Sequence, residues 1–371
     1  MFQAFWLLTA ASLLQIQAPS SRLYAQAFLD RSGATRAGTL SDRAHREDVV
    51  RALGFGGVRV LVGWDQVERV RGIRTWGRVD SIFDELQRDS LQAFGLLAFS
   101  PPWAVPGELG KLPRSNSHRP SVDGSTARGD TLFAAFAAAA ARRYRGRVNR
   151  WEVWNEENHP FFWFNVAGHT NQGPSARDYV ALFTLARDSI LAANPQAEVA
   201  VGGLASLSGH VRAVTDPLRA GRAIQAFPSH VFLREVLKMG VKPQAVGIHP
   251  YSALPPGKPF PGERTPVFPD LVVDSVAAVL DAFALPSTNL WVTEWGVDAS
   301  PRMDQAAVNS WYGAGLNSLL CDRRIPFVTL HALTDPDPQT HFGLLNDDGS
   351  DSRDGVAFRD FLSHWAGCPP R

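Results

Sequence analysis

The sequence has no excess of charge of one sign, few cysteines and no long apolar run. Its 371 residues carry 37 Lys and Arg against 36 Asp and Glu, a net charge of +1, which argues against a nucleic-acid-binding protein. No stretch reaches the roughly 18 consecutive apolar residues of a transmembrane helix, so we expect no integral membrane span. A hydrophobic content of 45% with 20% charged residues is typical of a folded globular chain.

An apolar segment near the N-terminus has the length of a signal peptide. Residues 5–16 form this segment, and residues 25–27 match the small-x-small pattern of a cleavage site, although residues 1–4 lack the usual basic residue. We expect residues 1–27 to be a signal peptide or another N-terminal segment ahead of one domain at residues 28–371. The protein is then secreted or periplasmic; if the segment is not a signal, the protein is cytoplasmic.

The two cysteines of the chain are Cys321 and Cys368. Cys321 ends a predicted helix, and Cys368 follows the next and last predicted helix. Because consecutive helices of a repeating β/α fold are neighbours that end on the same face, a disulfide between them is feasible in an oxidising compartment. The alternative is two buried free thiols.

Short apolar runs alternate with helical patterns along the whole chain. Continuous apolar runs of this length suit strands that are buried on both faces of a parallel sheet. Seven such runs occur at residues 57–62, 92–99, 148–154, 198–203, 245–249, 290–294 and 326–331.

An eighth strand is needed to close a barrel. The only candidate is residues 23–29, which would be the first strand, and a cleavage after Ala27 would cut through it. That conflict stays open. The alternation of strands and helices predicts parallel pairing with right-handed crossovers, and eight units predict a single (β/α)8 TIM barrel of the α/β class.

Helical patterns lie between the strand-like runs, and the loops that follow strands are long and rich in aromatic residues, proline and glycine. In a barrel of this kind the loops after the strands build the active site, so we expect the functional face there. The helices are predicted at residues 131–144 (capped by Asp130), 175–193, 269–283, 304–320 and 352–365, and the long loops at residues 100–129, 157–174, 206–229 and 252–265.

Two acidic residues lie where apolar strands end. Glu156 follows the run at 148–154, and Glu294 ends the run at 290–294. As the fourth and seventh strands of an eight-stranded barrel, these two would face each other across one pocket. One protonated and one ionised carboxyl beside the same bond suit glycoside hydrolysis, and Asn155 can hydrogen-bond a sugar hydroxyl.

Aromatic residues lie near both acids. Trp103 and Trp295 offer flat apolar faces for a sugar ring, and the aromatic run at residues 161–164, which includes Trp163, predicts a wall of the same cleft. The sequence has no His-x-x-x-His motif, no carboxylate cluster and no glycine-rich phosphate loop after a strand. We therefore expect no metal and no cofactor.

Several motifs at predicted strand ends occur in an order that is typical of one group of enzymes. The motifs are Gly57-Val58-Arg59 with Trp64, Ser100-Pro101-Pro102-Trp103-Ala104, Trp154-Asn155-Glu156, His249-Pro250-Tyr251 and Thr293-Glu294-Trp295-Gly296. On these motifs the sequence, over roughly residues 42–365, resembles the clan A glycoside hydrolases, which are retaining (β/α)8 enzymes. It is most similar to the family 39 type of β-xylosidase and polysaccharide hydrolase.

The resemblance implies a role for each matching residue. Glu156 is the general acid/base and Glu294 the nucleophile, and Arg59 and Tyr251 orient Glu294. His331 takes the place of the aromatic platform, often Trp, that usually ends the eighth strand. The residues expected to bind substrate are Arg59, Trp64, Trp103, Asn155, Trp163, His249, Tyr251, Trp295 and His331.

Two further acids near the fourth strand have other expected roles. Glu157 replaces the proline that usually follows the acid/base, and we do not expect it to serve as the acid instead. Glu152 alternates with Val153 along the strand, so it is expected to face away from Glu156 as a structural carboxylate.

We therefore expect an O-glycosyl hydrolase that cleaves a β-type linkage in an oligo- or polysaccharide through a covalent glycosyl-enzyme intermediate. Its partner is a carbohydrate rather than a nucleic acid. One alternative is a barrel that binds glycans without cleaving them, and another is a different chemistry on the same fold. The sugar, exo or endo action and the oligomeric state stay open.

Overall fold

The protein is described here from a computed structural model. The signal-like segment at residues 5–16, the domain boundary at residues 27 and 28 and the loop at residues 252–265 lie outside the described residues. The described residues are 19–26, 50–105, 107, 111, 117–163, 174–206, 209–212, 223–251, 269–299, 304–335, 341–346 and 348–369.

Eight parallel strands close into a barrel, and strands that follow one another in the chain are neighbours around it. This arrangement confirms the predicted (β/α)8 barrel. A separate antiparallel hairpin, β6 (Gly209–Arg212) and β7 (Ala223–Ala226), follows the fifth barrel strand. The barrel strands are β1 (Leu23–Ala25), β2 (Gly57–Gly63), β3 (Gln92–Ala98), β4 (Arg150–Asn155), β5 (Glu198–Ala205), β8 (Ala245–His249), β9 (Asn289–Trp295) and β10 (Val328–Leu330).

The first strand, β1, is only three residues long, yet it closes the barrel. Tyr24 pairs with Gly57 of β2 on one side and with Thr329 of β10 on the other. Just before β1, the Arg22 guanidinium donates to the backbone carbonyl of Leu320 at 2.6 Å and to that of Pro326 at 3.2 Å. The first barrel strand therefore lies ahead of position 28, the expected start of the domain, because it spans Leu23–Ala25.

Helices follow the barrel strands and cover them. Helix α1 continues directly from β2, and α7 and α8 are capped by the side chains of Asp304 and Ser352. The α-helices whose full extent the structure describes are α1 (Trp64–Val67), α2 (Gly77–Arg88), α3 (Thr126–Arg143), α4 (Ala176–Ala193), α5 (Ser229–Lys238), α6 (Pro269–Ala282), α7 (Gln305–Cys321) and α8 (Arg353–His364). Two short 3-10 helices are Pro19–Arg22 and Pro102–Ala104.

Helix α3 begins five residues earlier than the sequence predicted, so the proposed cap at Asp130 was wrong. The Ser125 side chain caps the helix by accepting a backbone N–H at 3.2 Å. Asp130 lies inside the helix, where it is buried and forms an ion pair with Arg119 at 2.5 Å. Gly129, which favours a break in sequence, is needed for packing, because a Cβ there would lie 2.3 Å from the carbonyl oxygen of Pro120.

The hydrophobic core has two parts. The larger part lies between the strands and the helices, and a smaller cluster fills the N-terminal half of the barrel interior. In that cluster the ring centroid of Phe327 lies 4.7 Å from that of Tyr24 and 5.1 Å from that of Phe94. These large rings close the barrel from below, so polar side chains of the interior lie toward the C-terminal ends of the strands.

The last two helices are joined covalently. Cys321, the last residue of α7, forms a disulfide with Cys368, which follows α8, and their Cα atoms are 5.3 Å apart. Among the described residues, the helices are all too short or too polar to cross a membrane.

Candidate active site

Glu294 lies near the C-terminal end of β9 and is held from two sides. The Arg59 guanidinium, from β2, donates to Oε1 of Glu294. The Tyr251 hydroxyl, two residues beyond β8, donates to Oε2 at 2.9 Å. The carboxylate is fixed in orientation, yet 10% of its side-chain surface remains exposed.

Glu156 lies just beyond β4 and is aimed by the backbone around it. Its φ of 49° is in the left-handed region, which non-glycine residues rarely adopt and which is common at functional sites. Its backbone N–H donates to the carbonyl of Gly203 at 2.9 Å, and its carbonyl accepts the N–H of His159 at 2.8 Å. The carboxyl Oε1 lies 2.8 Å from Nδ1 of His249, within hydrogen-bonding distance.

The two carboxyl groups face one another across His249. One oxygen of Glu156 and one of Glu294 lie within 4.8 Å of each other. Nδ1 of His249 is 3.5 Å from Oε2 of Glu294 as well as hydrogen-bonded to Glu156. The acids predicted from opposite strand ends therefore share one pocket.

The surroundings of Glu294 favour its ionised form. Burial opposes ionisation, but the positive charges of His249 and Arg59 outweigh it and hold the pKa of Glu294 well below its usual range. His249 is buried too, which lowers its pKa, yet the carboxylates of Glu294 and Glu156 raise that pKa above its ordinary value. Burial and the charge of Glu294 raise the pKa of Tyr251, so its hydroxyl stays a donor.

A polar layer inside the barrel supports Glu294 from below. Glu152 accepts from Nε of Arg59 at 2.9 Å and from Nη2 at 2.6 Å, and Asn155 Oδ1 accepts from the same Nη2 at 2.8 Å. The hydroxyl of Thr293 donates to Oε1 of Glu152 at 2.7 Å. Glu152 is therefore a buried structural carboxylate, as expected, but it bonds the same guanidinium as Glu294 instead of lying apart from the site.

Irregular strands explain why these residues share one side. β9 has one residue more than β10 between their paired positions, a bulge, so Thr293 and Glu294 both reach the interior. In β4, the left-handed φ of 74° at Trp154 interrupts the alternation, so Glu152 and Asn155 both reach Arg59. Simple alternation along either strand misassigns these side chains.

The structure brings most of the predicted substrate-binding residues into one cluster, but three tryptophans lie elsewhere. Trp295 is fully buried against Tyr312 of α7, outside the barrel. Trp64 and Trp163 are also fully buried, so these three have no surface for a sugar. The clustered residues are Arg59, Asn155, His249, Tyr251 and His331 around the two acids.

Two aromatic regions, in the loops after β3 and β4, differ in exposure. Trp103 is partly exposed, and its indole N–H donates to the carbonyl of Glu68 at 2.7 Å, which orients the ring in the loop after β3. In the aromatic run after β4, Phe161 and Phe162 keep partial exposure while Trp163 packs edge-on against Trp154. Phe164 lies outside the described residues.

His331, just after β10, has partners that the sequence did not indicate. Its Nδ1 lies 3.0 Å from Oε1 of Gln26 and 3.8 Å from Oε2 of Glu294. Its ring packs edge-on against Tyr251 and Phe342. Burial lowers the pKa of His331, which favours the neutral imidazole at the position where an aromatic platform, often Trp, was expected. Nothing in the sequence marks Gln26 as a neighbour of the site, because it reaches this end of β10 only when the barrel is closed.

Glu157 cannot reach a ligand. The side chain is fully buried, and a Cβ on Gly202 would lie 2.2 Å from its Oε2, so it fills the space behind β5. The hydroxyl of Tyr179 is one of its polar neighbours, but within the part of the chain that the structure describes no donor reaches its oxygens with good hydrogen-bond geometry. Burial therefore raises the pKa of Glu157 well above its usual range.

Among the described residues, one group has the spacing of metal ligands. Glu156, His249 and Glu294 each place a ligand atom within 4.8 Å of the other two. The hydrogen bond of His249 to Glu156 and the contact of Arg59 with Glu294 already engage these atoms. Their proximity thus has an explanation without an ion, and the buried guanidinium opposes a second cation.

Comparisons with known proteins find relatives of the fold. No protein-family model matches the sequence, and a search of curated proteins finds no match. The solved structures that resemble the chain include a family 39 glycoside hydrolase from Bacteroides cellulosilyticus, with 18% identity and a TM-score of 0.61 over 93% of this chain and 64% of that one.

Two further structures carry names of related activities. A monomeric β-xylosidase from Caulobacter crescentus has 19% identity and a TM-score of 0.63 over 91% of this chain and 67% of that one. A Thermotoga petrophila xylanase, solved with xylobiose, has 13% identity and a TM-score of 0.57 over 98% of both chains. The chain therefore has the fold of these glycoside hydrolases, and it spans about two thirds of the length of the family 39 hydrolase and of the β-xylosidase.

Proposed function

We propose that the protein is a retaining glycoside hydrolase of the clan A type. The observation that carries this proposal is the pair Glu156 and Glu294, whose carboxyl oxygens come within 4.8 Å of each other. Retaining enzymes have a separation of about 5–5.5 Å between the two carboxyl groups, whereas inverting enzymes need about 6.5–9.5 Å to admit a water. The short separation supports double displacement.

In the first half-reaction, Glu294 attacks the anomeric carbon and Glu156 gives a proton to the departing glycosidic oxygen. Glu294 is suited to attack because the charges of His249 and Arg59 keep it ionised in spite of its burial. The contact between Nδ1 of His249 and Oε1 of Glu156, at 2.8 Å, holds the carboxyl of Glu156 in the pocket that it shares with Glu294. A new ester bond joins Glu294 to the sugar as the glycosidic bond breaks.

In the second half-reaction, Glu156 accepts a proton from a water, which attacks the anomeric carbon and releases Glu294. The hydrogen bonds from Arg59 and Tyr251 stabilise the returning carboxylate. Asn155 is anchored through Oδ1 to Arg59, which leaves its amide N–H₂ as a donor for the 2-hydroxyl.

For the substrate we propose a β-linked xyloside or a similar β-glycoside. The names of the solved relatives, a β-xylosidase and a xylanase with xylobiose, support this choice. The disulfide between Cys321 and Cys368 supports secretion or a periplasmic location, because such bonds persist in oxidising compartments.

The test is hydrolysis of a panel of aryl β-glycosides and β-linked polysaccharides by the wild type, Glu294→Ala and Glu156→Ala. We expect Glu294→Ala to abolish turnover. The kcat/KM of Glu156→Ala should fall about 10²- to 10⁴-fold on substrates with poor leaving groups. It should fall much less on activated aryl glycosides, whose leaving group departs without a proton. Glu157→Gln is the matched control and should keep its activity, because it changes a buried carboxyl that touches no substrate.

Three results would contradict the proposal in different ways. Activity that survives in Glu294→Ala removes Glu294 as the nucleophile. Inversion of the anomeric configuration, read by NMR of the first product, excludes the double displacement. Binding of oligosaccharides by a wild type that turns over no glycoside supports the alternative, a glycan-binding barrel without catalysis.

A further inference from the structure

Glu152 is a buried acid of the barrel interior to which the double displacement assigns no task. It is fully buried, and both of its oxygens are engaged, one by Arg59 and the other by Thr293. Space for it exists because β8 and β5 carry glycines beside it. A Cβ on Gly247 would lie 2.4 Å, and one on Gly203 2.9 Å, from its Oε1.

Arg59 therefore serves two carboxylates at once. Its Nε and Nη2 bind Glu152, and its Nη1 binds Glu294. With both acids ionised, the three groups carry a net charge of −1. When Glu294 becomes a neutral glycosyl ester, Arg59 keeps one buried partner, Glu152, and its charge stays balanced. Without Glu152, the ester would lie beside an uncompensated buried cation, which is costly.

Glu152 also changes how good a nucleophile Glu294 is. A second negative charge on the shared guanidinium repels the carboxylate of Glu294 and partly cancels the charge of Arg59. A carboxylate that is stabilised less attacks more readily and leaves its ester less readily. The other charged or titratable groups that face Glu294 are Arg59 from β2, Glu156 beyond β4, His249 and Tyr251 from β8 and the turn after it, and His331 after β10.

We propose that Glu152 is a positioning residue that balances the charge of Arg59 and thereby sets the nucleophilicity of Glu294. The inference rests on the proposed function, since it concerns the same double displacement. In the step itself, the bond from Glu294 to the anomeric carbon forms, the glycosidic bond breaks, and the proton goes from Glu156 to the leaving oxygen. Glu152 and Arg59 exchange no proton.

The test separates the two half-reactions of Glu152→Gln, which keeps the shape and removes the charge. The probe is 2,4-dinitrophenyl 2-deoxy-2-fluoro-β-xyloside. The rate at which it inactivates the enzyme measures ester formation, and the rate at which activity returns measures ester hydrolysis. Since one pKa unit corresponds to about tenfold in an equilibrium, we expect inactivation to slow by about three- to tenfold and reactivation to accelerate by a similar factor.

The acid limb of the pH profile gives a second readout. Without the charge of Glu152, the pKa of Glu294 should fall further, so the acid limb of kcat/KM should move to lower pH. Glu152→Asp keeps the charge, so it should keep the wild-type ratio of the two rates even if both rates drop. Asp130→Asn is the matched control, because it removes a buried carboxylate from Arg119, outside the barrel interior, and should leave that ratio unchanged.

The outcomes separate this inference from the function on which it rests. A parallel fall of both rates in Glu152→Gln, or an unchanged ratio, would mean that Glu152 is only structural and would overturn the inference alone. A change in the ratio of the inactivation and reactivation rates that is as large in Glu152→Asp as in Glu152→Gln would also overturn the inference alone. A wild type that hydrolyses aryl xylosides but forms no ester with the probe would contradict the retaining mechanism, and this inference with it.

Discussion

At the scale of single residues, the site depends on how buried charges are shared. Glu294 has a guanidinium on one oxygen and a phenol on the other, and His249 lies between it and Glu156. Each contact favours the ionised form of Glu294, and together they overcome the effect of burial on its pKa. Loss of a single contact should therefore change the pH range of activity as well as the rate.

The clearest residue-scale prediction concerns Tyr251. Its hydroxyl donates to Oε2 of Glu294 at 2.9 Å, and a hydrogen bond to a charged group contributes about 1.5–3 kcal/mol. The pKa of Glu294 is depressed, so activity is present above that pKa and is lost as the pH falls through it. Tyr251→Phe should raise the pKa and move the acid limb of kcat/KM to higher pH. It should lower kcat about tenfold or more through slower hydrolysis of the ester, because the departing carboxylate loses the phenol that stabilises it.

A kinetic pH profile of the two proteins measures this shift. Tyr179→Phe is the matched control, because its buried hydroxyl bonds the backbone of Val153 and Gly202, away from Glu294. It should cost stability while the acid limb stays in place. An acid limb that is identical in Tyr251→Phe and wild type would show that the phenol does not control the ionisation of Glu294.

At the scale of elements, the site depends on how β9 sits against α7. The bulge in β9 turns Thr293 and Glu294 inward and Trp295 outward. Trp295 then packs against α7, where Gly315 leaves room for the indole. The packing of Trp295 on α7 therefore fixes the backbone that carries Glu294.

Gly315→Ala tests this packing. Alanine is favoured in a helix over glycine by about 1 kcal/mol, but its Cβ would lie 2.3 Å from Cζ2 of Trp295. Overpacking of this kind costs about 1–3 kcal/mol, so we expect a lower free energy of unfolding and a lower kcat, because Trp295 and Glu294 move together. Chemical denaturation and steady-state kinetics measure the two effects.

Gly313→Ala, two residues earlier in the same helix, is the matched control. The nearest atom to its Cβ is Cδ2 of Phe361 at 4.0 Å, an ordinary contact. It should raise stability by up to about 1 kcal/mol and leave kcat unchanged. If Gly315→Ala were as stable and as active as Gly313→Ala, the packing of Trp295 on α7 would not control the position of Glu294.

At the scale of the whole molecule, the two ends of the described chain meet around the barrel seam. β1 pairs with both β2 and β10, and Gln26, the residue after it, approaches His331. Near the same seam, the disulfide links α7 to the segment that follows α8. The closed seam therefore also completes the surroundings of His331.

The disulfide gives the prediction at this scale. It joins cysteines 47 positions apart, and a loop of that length contributes about 3–4 kcal/mol through the entropy of the unfolded chain. The double variant Cys321→Ser with Cys368→Ser should lose about this much in urea unfolding and keep its activity under native conditions.

Reductant supplies the control for this experiment. It should lower the stability of the wild type toward that of the double variant, and it should leave the double variant unchanged. A wild type that has two titratable thiols when purified without reductant, and whose unfolding is insensitive to reductant, would contradict the bond.

The sequence by itself determined the barrel and the two acids. Continuous apolar runs that recur between helical patterns predict a parallel barrel, and Glu156 and Glu294 at the ends of two runs predict one pocket. These signals are local, because burial on both faces and the end of a strand can be read from neighbouring residues. The start of α3 shows the limit of such local signals. Gly129 suggested a helix that begins later, at Asp130, but the helix is capped by Ser125, and the glycine is explained only by the loop that packs on it.

Only the tertiary structure decided which side chains turn inward and what surrounds the acids. The bulge in β9 and the left-handed residue in β4 reverse the alternation, so Glu152 joins the site while Trp295 leaves it. Gln26 reaches His331 across the closed seam. Such features depend on contacts between residues far apart in the chain, and a one-residue change in register moves a side chain from one face of a sheet to the other.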